Sequence, residues 1–124
     1  MGLDVEIFDA EPGRPNIVAT YRGARPAKLF HFYGHMDVVP LGNLSEWDWD
    51  PFSADEVEGW IYDKGTVDMK SGLAPMIMAT DFLKRSKLNL AGDISLTIVS
   101  DEQRGGQKGH GIFLTKELLK GILE

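Results

Sequence analysis

The chain contains no cysteine. That excludes a disulfide framework and a thiolate zinc cage, so any metal must be held by histidine, aspartate or glutamate. Histidine itself is scarce, with three in 124 residues. There is no run of lysine or arginine, and the formal net charge is −6. A nucleic-acid surface is therefore not expected. No apolar stretch is long enough for a membrane span, and no charged-then-apolar leader opens the chain. The default location is the cytoplasm. Internal repeats, low-complexity tracts and linkers are lacking too. The rest is ordinary for a globular protein: 43% hydrophobic, 26% charged, and 124 residues, enough for about one domain with one core.

Patterning along the chain alternates strand and helix. Val5–Phe8 and Ile17–Tyr21 read as strands, separated by the turn-forming stretch from Asp9 to Pro15. They are expected to form a hairpin. Lys28–Tyr33 is nearly continuously apolar, the pattern of a strand buried on both faces. Met36 to Pro51 reads as loop, and Trp60–Tyr62 as a short strand. Leu73, Met76, Ile77, Ala79, Thr80 and Leu83 recur at helical spacing, predicting a helix from about Ser71 to Lys84 with Pro75 in its first turn. The Met76–Met78 stripe is expected in the core. Asp93–Val99 reads as a strand with Ile94, Leu96 and Ile98 on one face, and Gly109–Leu123 as a second helix. The alternation predicts an α/β fold, a mixed, mostly parallel sheet flanked by helices.

Three motifs carry chemistry: Gly34-His35-Met36-Asp37, Gly65-Thr66-Val67-Asp68-Met69-Lys70 and Ser100-Asp101-Glu102-Gln103. Asp68 follows His35 by 33 positions and Glu102 follows Asp68 by 34. Each motif lies where an apolar run gives way to a Gly-containing loop. One imidazole and several carboxylates at neighbouring strand ends make a plausible zinc-type site. A carboxylate two residues beyond His35, Asp37, can accept from the second ring nitrogen and fix the tautomer. Taken singly, each motif has a plainer reading: a buried histidine bonded to backbone, an aspartate capping a helix, an exposed polar turn. His31 and His110 match no ligand pattern and read as a sheet residue and a helix-start residue.

The motifs and their spacing resemble the M20 family of zinc-dependent amidohydrolases and exopeptidases, which includes acetylornithine deacetylase, succinyl-diaminopimelate desuccinylase and carboxypeptidase G2. The tract Glu46-Trp47-Asp48-Trp49-Asp50-Pro51-Phe52 matches as well, with packing beneath the site as its expected role and sugar or ligand stacking as the alternative. The resemblance implies a zinc-peptidase-like catalytic domain. It implies that His35 is a metal ligand, that Asp37 orients the site, that Asp68 bridges two metals and that Glu102 is the general base. It also implies a cis peptide after Asp68. Gln103 stands where the family has a ligating glutamate, and a neutral amide is a poor zinc ligand. Asp63 and Lys64 replace the usual Gly and Arg, and Lys64 keeps the charge without the bidentate fork.

Nothing after Gly109 supplies the further acidic ligand and C-terminal histidine of the family. The expectation is one partial catalytic domain, 1–124, lacking the lid or dimerisation domain and the C-terminal part. Its implied function is metal-dependent hydrolysis of an amide bond in an N-acyl amino acid or small peptide. The implied cofactor is zinc or cobalt, up to two ions, bound weakly here, with little activity for the chain alone. Partners would be the small-molecule substrate and a second copy through an exposed truncated surface, with no nucleic acid and no membrane. The alternatives are a non-catalytic descendant acting as a binding or interaction module, and a plain α/β domain matching by chance.

Overall fold

The computed structural model describes residues 2–25, 28–109 and 111. Six strands and one long helix follow in the order β1 (Asp4–Glu11), β2 (Arg14–Tyr21), β3 (Phe30–His35), β4 (Asp55–Val57), β5 (Trp60–Tyr62), α1 (Ser71–Arg85) and β6 (Ile94–Val99). The second helix expected over Gly109–Leu123, and His110 with it, lies outside the described residues. No described helix is long and apolar enough to cross a membrane.

The main sheet has the order β1-β2-β6-β3 and is mixed. β1 and β2 are the expected hairpin, with a tighter turn than the polar stretch suggests: the strands run on until Glu11 faces Arg14. An ion pair between these two residues, 2.9 Å, closes the turn. A hairpin this short can only be antiparallel. β2 also pairs antiparallel with β6, and the parallel part is the β3–β6 pair. A parallel pair needs a long crossover, and residues 36–93, including α1, supply it.

β6 is central, and its central place explains its burial. Ile94, Ser95, Leu96, Thr97 and Val99 are all buried. The alternation of apolar and polar residues suggested one covered face, whereas strands on both sides and cover on both faces bury Ser95 and Thr97 as well. β3 departs the other way. It sits at the edge of the described sheet, and Phe30 and His31 at its start are exposed. Only its end is buried, at Gly34 and His35.

Side-chain alternation in the parallel register places Phe32 and Gly34 with Leu96 and Ile98 on one face. α1 packs on that face. A Cβ on Gly34 would lie 2.6 Å from Leu73 Cδ2 and 3.0 Å from Met69 Cε, so the absent side chain lets the helix start approach the strand. On the other face Val18 and Val99 form a small core with Phe8 and Tyr33 against it. α1 buries Leu73 and Thr80, while Met78 is exposed and so not part of the core. Pro75 is the fifth residue of α1, just past the first turn, and its missing N–H leaves the Ser71 carbonyl without its i+4 donor.

The end of β2 is tied to the start of β6 by Asp93. Its carboxylate accepts from the Gly23 N–H and from Arg22 Nη1, each at 2.8 Å. The Gly23 bond, and then Arg22, hold the Asp93 carboxyl below the usual carboxylate range. The two chain segments pass so closely that a Cβ on Gly23 would lie 2.3 Å from the Gly92 carbonyl oxygen. Main chain on main chain cannot be relieved by a rotamer change. Gly23→Ala is expected to destabilise the fold by about 1–3 kcal/mol in urea unfolding. An unchanged midpoint would show that the crossing is looser than this.

Candidate active site

The site forms where β3 and β6 end. Parallel neighbours finish on the same side of a sheet, so the loops that leave them meet there, the usual place for ligands in α/β folds. His35 is the last residue of β3 and is only 5% exposed. Its main-chain N–H points at the Met69 sulfur, 3.4 Å away. Its Nδ1 lies 3.0 Å from the main-chain oxygen of Asp37. A carbonyl only accepts, so that contact puts the hydrogen on Nδ1 and turns the Nε2 lone pair outward.

Nε2 faces Asp68 Oδ1 at 3.1 Å. With Nδ1 protonated, this contact sets a lone pair against a carboxylate oxygen. It is favourable only with positive charge between them, a proton or a metal cation. Asp68 stands at a kink in the segment Thr66–Lys70 that leads into α1, with extended, non-helical backbone (φ −127°, ψ 97°). The Asp68–Met69 peptide is cis, as the family resemblance implies. The helix-capping alternative fails: the N-cap position of α1 is Lys70, with no side-chain cap bond, and the Asp68 carboxylate turns toward His35 and Gln103 instead.

The third motif leaves β6 and folds over the first. The carboxylate of Asp37 accepts from the main-chain N–H of Glu102, at 3.0 and 3.1 Å, and of Gln103, at 3.0 Å. Asp37 thus differs from its expected part. Its carbonyl, rather than its carboxylate, holds the imidazole, because the carboxylate is engaged by the facing loop and stays 3.7 Å from Nδ1. Glu102 is half exposed, with Oε2 3.8 Å from His35 Nε2. The Gln103 amide donates to Asp68 Oδ2 at 2.7 Å and lies 3.3 Å from His35 Nε2. The Gln103 bond first, and then His35, lower the pKa of the exposed Asp68 carboxyl. All five residues singled out in the sequence (His35, Asp37, Asp68, Glu102 and Gln103) therefore stand together.

Several supporting residues escape sequence reasoning. Asn16 on β2 is fully buried. Its amide oxygen accepts from the Ser100 N–H at 3.0 Å, and its Nδ2 donates to the Lys108 carbonyl at 2.9 Å. Asp101, buried beside it, accepts from Arg14 at 3.2 Å and from the Lys108 N–H at 3.1 Å. These bonds pin both ends of the loop that carries Glu102 and Gln103. Asn16 sits between the turn-forming stretch and the apolar run from Ile17, where nothing in the sequence marks it as buried. Tyr33 shares the His35 face, and burial, then the charges of Glu102 and Asp37, raise its phenol pKa.

The donors fit a metal in part. Two zinc ligands about 2.1 Å from the ion at a tetrahedral angle stand roughly 3.4 Å apart. His35 Nε2 and Asp68 Oδ1, at 3.1 Å, approach that spacing. Among the described residues, however, no group of three or more His, Cys, Asp or Glu is placed to hold an ion. The place beside Asp68 that a third ligand would take holds the Gln103 amide. Next to the cluster is a hollow of about 250 Å³, lined by Val38, Val39, Trp47, Lys64, Val67 and Gln103 among others.

The chain is similar to known proteins in sequence and in fold. The chain is 41% identical over 120 residues to succinyl-diaminopimelate desuccinylase of Vesicomyosocius okutanii subsp. Calyptogena okutanii, covering 97% of this chain and 31% of that enzyme. It is 40% identical over 108 residues to the desuccinylase of Paracoccus denitrificans, covering 87% of this chain and 28% of that enzyme. It thus spans under a third of the length of these curated relatives. Among solved structures, an M20 family metallo-carboxypeptidase from Sulfolobus solfataricus superposes with a TM-score of 0.77 at 26% identity, over 97% of this chain and 26% of that one. Human carnosine dipeptidase 1 superposes with a TM-score of 0.74, also at 26% identity, over 90% of this chain and 25% of that one. Residues 31–124 match the family itself. The chain belongs to peptidase family M20/M25/M40.

Proposed function

We propose that this chain is part of a catalytic domain that hydrolyses an amide bond in an N-acyl amino acid or small peptide with the help of a bound metal, zinc or cobalt, in the cytoplasm. The carrying observation is the His35–Asp68 pair: with Nδ1 engaged by the Asp37 carbonyl, Nε2 and Oδ1 face each other at 3.1 Å, an arrangement that a proton or a metal cation between them satisfies. His35 and Asp68 would hold the metal, which supplies Lewis acidity and a water of lowered pKa when bound. Glu102 has a solvent-reachable carboxylate beside His35 Nε2 and accepts the proton of an attacking water there. Asp37 fixes both the imidazole and the Glu102 main chain. The relatives named for desuccinylation support the amide as the bond cleaved.

Two measurements test this. In calorimetric titration of the chain with Zn²⁺, binding is expected and is expected to vanish in His35→Ala and in Asp68→Ala. Binding that survives both substitutions would place the metal elsewhere. Turnover of N-acetyl or N-succinyl amino acids by the chain alone is expected to be slight. For the reaction itself, the chain can replace the matching segment of the Paracoccus desuccinylase. A folded chimera carrying Gln103→Glu is expected to hydrolyse the relative's substrate, and Glu102→Gln is expected to lower that rate by about 10²–10⁴-fold, the scale of general-base catalysis. A folded but inert Gln103→Glu chimera would sink the reading. Gln103 favours a second reading, a non-catalytic binding module, and inertness in that chimera is its signature.

A further inference from the structure

Beside the candidate site lies a groove of different character. Its volume is about 400 Å³, within the range of small-molecule sites. Trp47, Trp49, Trp60 and Tyr62 line it. Trp49 and Tyr62 stack with ring centroids 4.0 Å apart and planes 22° from parallel. The short β4–β5 hairpin carries Trp60 and Tyr62 and fixes them opposite Val57 and Asp55. The aromatic tract thus lines an open groove beside the site. Trp47 is anchored, its Nε1 donating to the Leu41 carbonyl at 3.1 Å, but Trp60 is 69% exposed and Phe52 61%.

Charge decides what such a groove accepts. Glu46, Asp48, Asp50 and Asp63 line it, and no lysine or arginine does. Asp63 is matched by Lys70 at 2.9 Å, whereas Glu46 and Asp48 have no ion pair among the described residues. An anion would be repelled. A neutral hydrocarbon would cover carboxylates without compensating them. An organic cation satisfies both kinds of wall, because aromatic faces carry a negative quadrupole. The chain already shows this chemistry next door: Lys64 Nζ stands 5.3 Å from the Trp47 ring centre.

We propose that the groove formed by Trp47, Trp49, Trp60 and Tyr62 with the carboxylates of Glu46 and Asp48 binds the alkylated ammonium group of a small molecule. The assignment is independent of amide hydrolysis.

All three tryptophans of the chain line this groove, so intrinsic fluorescence reads it directly. The probes are choline and its uncharged carbon isostere, 3,3-dimethylbutan-1-ol. Choline is expected to change the emission saturably and to bind at least about tenfold more tightly than the isostere. Added salt is expected to weaken choline binding. Trp60→Ala is expected to abolish the response while leaving the unfolding midpoint unchanged, since that ring is mostly solvent-facing. Glu46→Gln with Asp48→Asn is expected to weaken choline several-fold and leave the isostere unaffected. Equal affinity for the two probes would reduce the groove to a plain apolar face. No saturation with choline, or saturation that survives Trp60→Ala, would overturn the assignment.

Discussion

Replacing Asn16 by leucine is expected to destabilise the fold by about 1–3 kcal/mol, because the buried Ser100 N–H loses its partner and the part-buried Lys108 carbonyl loses one as well. The groups are the Ser100 N–H and the Lys108 carbonyl, bonded to the Asn16 side chain at 3.0 and 2.9 Å. Asn16 is fully buried, so water does not readily replace it. Leucine keeps the branched heavy-atom skeleton of asparagine and leaves no cavity, and its bulkier methyl groups can only add to the loss at this fully buried position. Urea unfolding measures the effect. Amide exchange should localise it, with the N–H groups around Ser100 and Lys108 exchanging faster than those of α1. A loss below about 1 kcal/mol would mean that the loop finds other partners.

Gln103→Glu is expected to raise the affinity of the chain for Zn²⁺ by at least about tenfold, the scale on which even outer-shell partners tune a metal. The argument is one of charge and donor type. The Gln103 amide sits 2.7 Å from one Asp68 oxygen and 3.3 Å from His35 Nε2, at the meeting point of the two best donors. As an N–H donor it satisfies Asp68 in the absence of an ion, and a metal must displace it. A glutamate there would repel Asp68 without an ion and bind one together with it. The same substitution is therefore expected to lower stability in chelator and raise it in zinc, because a ligand that binds only the folded state stabilises it by mass action. Equal zinc affinity for both chains would show that position 103 faces away from the metal.

The hairpin was legible from two apolar, β-branched runs, Val5–Phe8 and Ile17–Tyr21, flanking a turn-forming stretch, the helix from the 3.6 period of Leu73–Leu83, and the central strand from Ile94, Leu96 and Ile98. The site was legible as residue types at near-equal spacing, since His35, Asp68 and Glu102 each end or follow a strand or open a helix. What stayed hidden depends on neighbours. The burial of Ser95 and Thr97 follows from the central place of β6, and sheet order is not written in any one strand. The exposure of Phe30 and His31 follows from the edge place of β3. The part of Asp37 was half legible: its nearness to His35 was clear, but its engagement by the Glu102 and Gln103 amides depends on a loop 65 residues away. Asn16 precedes the apolar run of β2, and its meaning appeared only with the loop it holds.

The parallel pairing of β3 with β6 also sets an order of assembly. The β1–β2 hairpin and α1 are built from contacts close in sequence and can form early. Phe30 meets Ile94 only after the whole intervening crossover has been drawn in, and the entropy of closing that loop must be met before any pairing rewards it. Asp37 and Glu102 lie just past the two strand ends, so their contact comes after the zipper closes. The cluster is thus among the last parts of the chain to take shape. A refolding experiment that follows it watches a long-range step of folding, while one that follows α1 watches a local event.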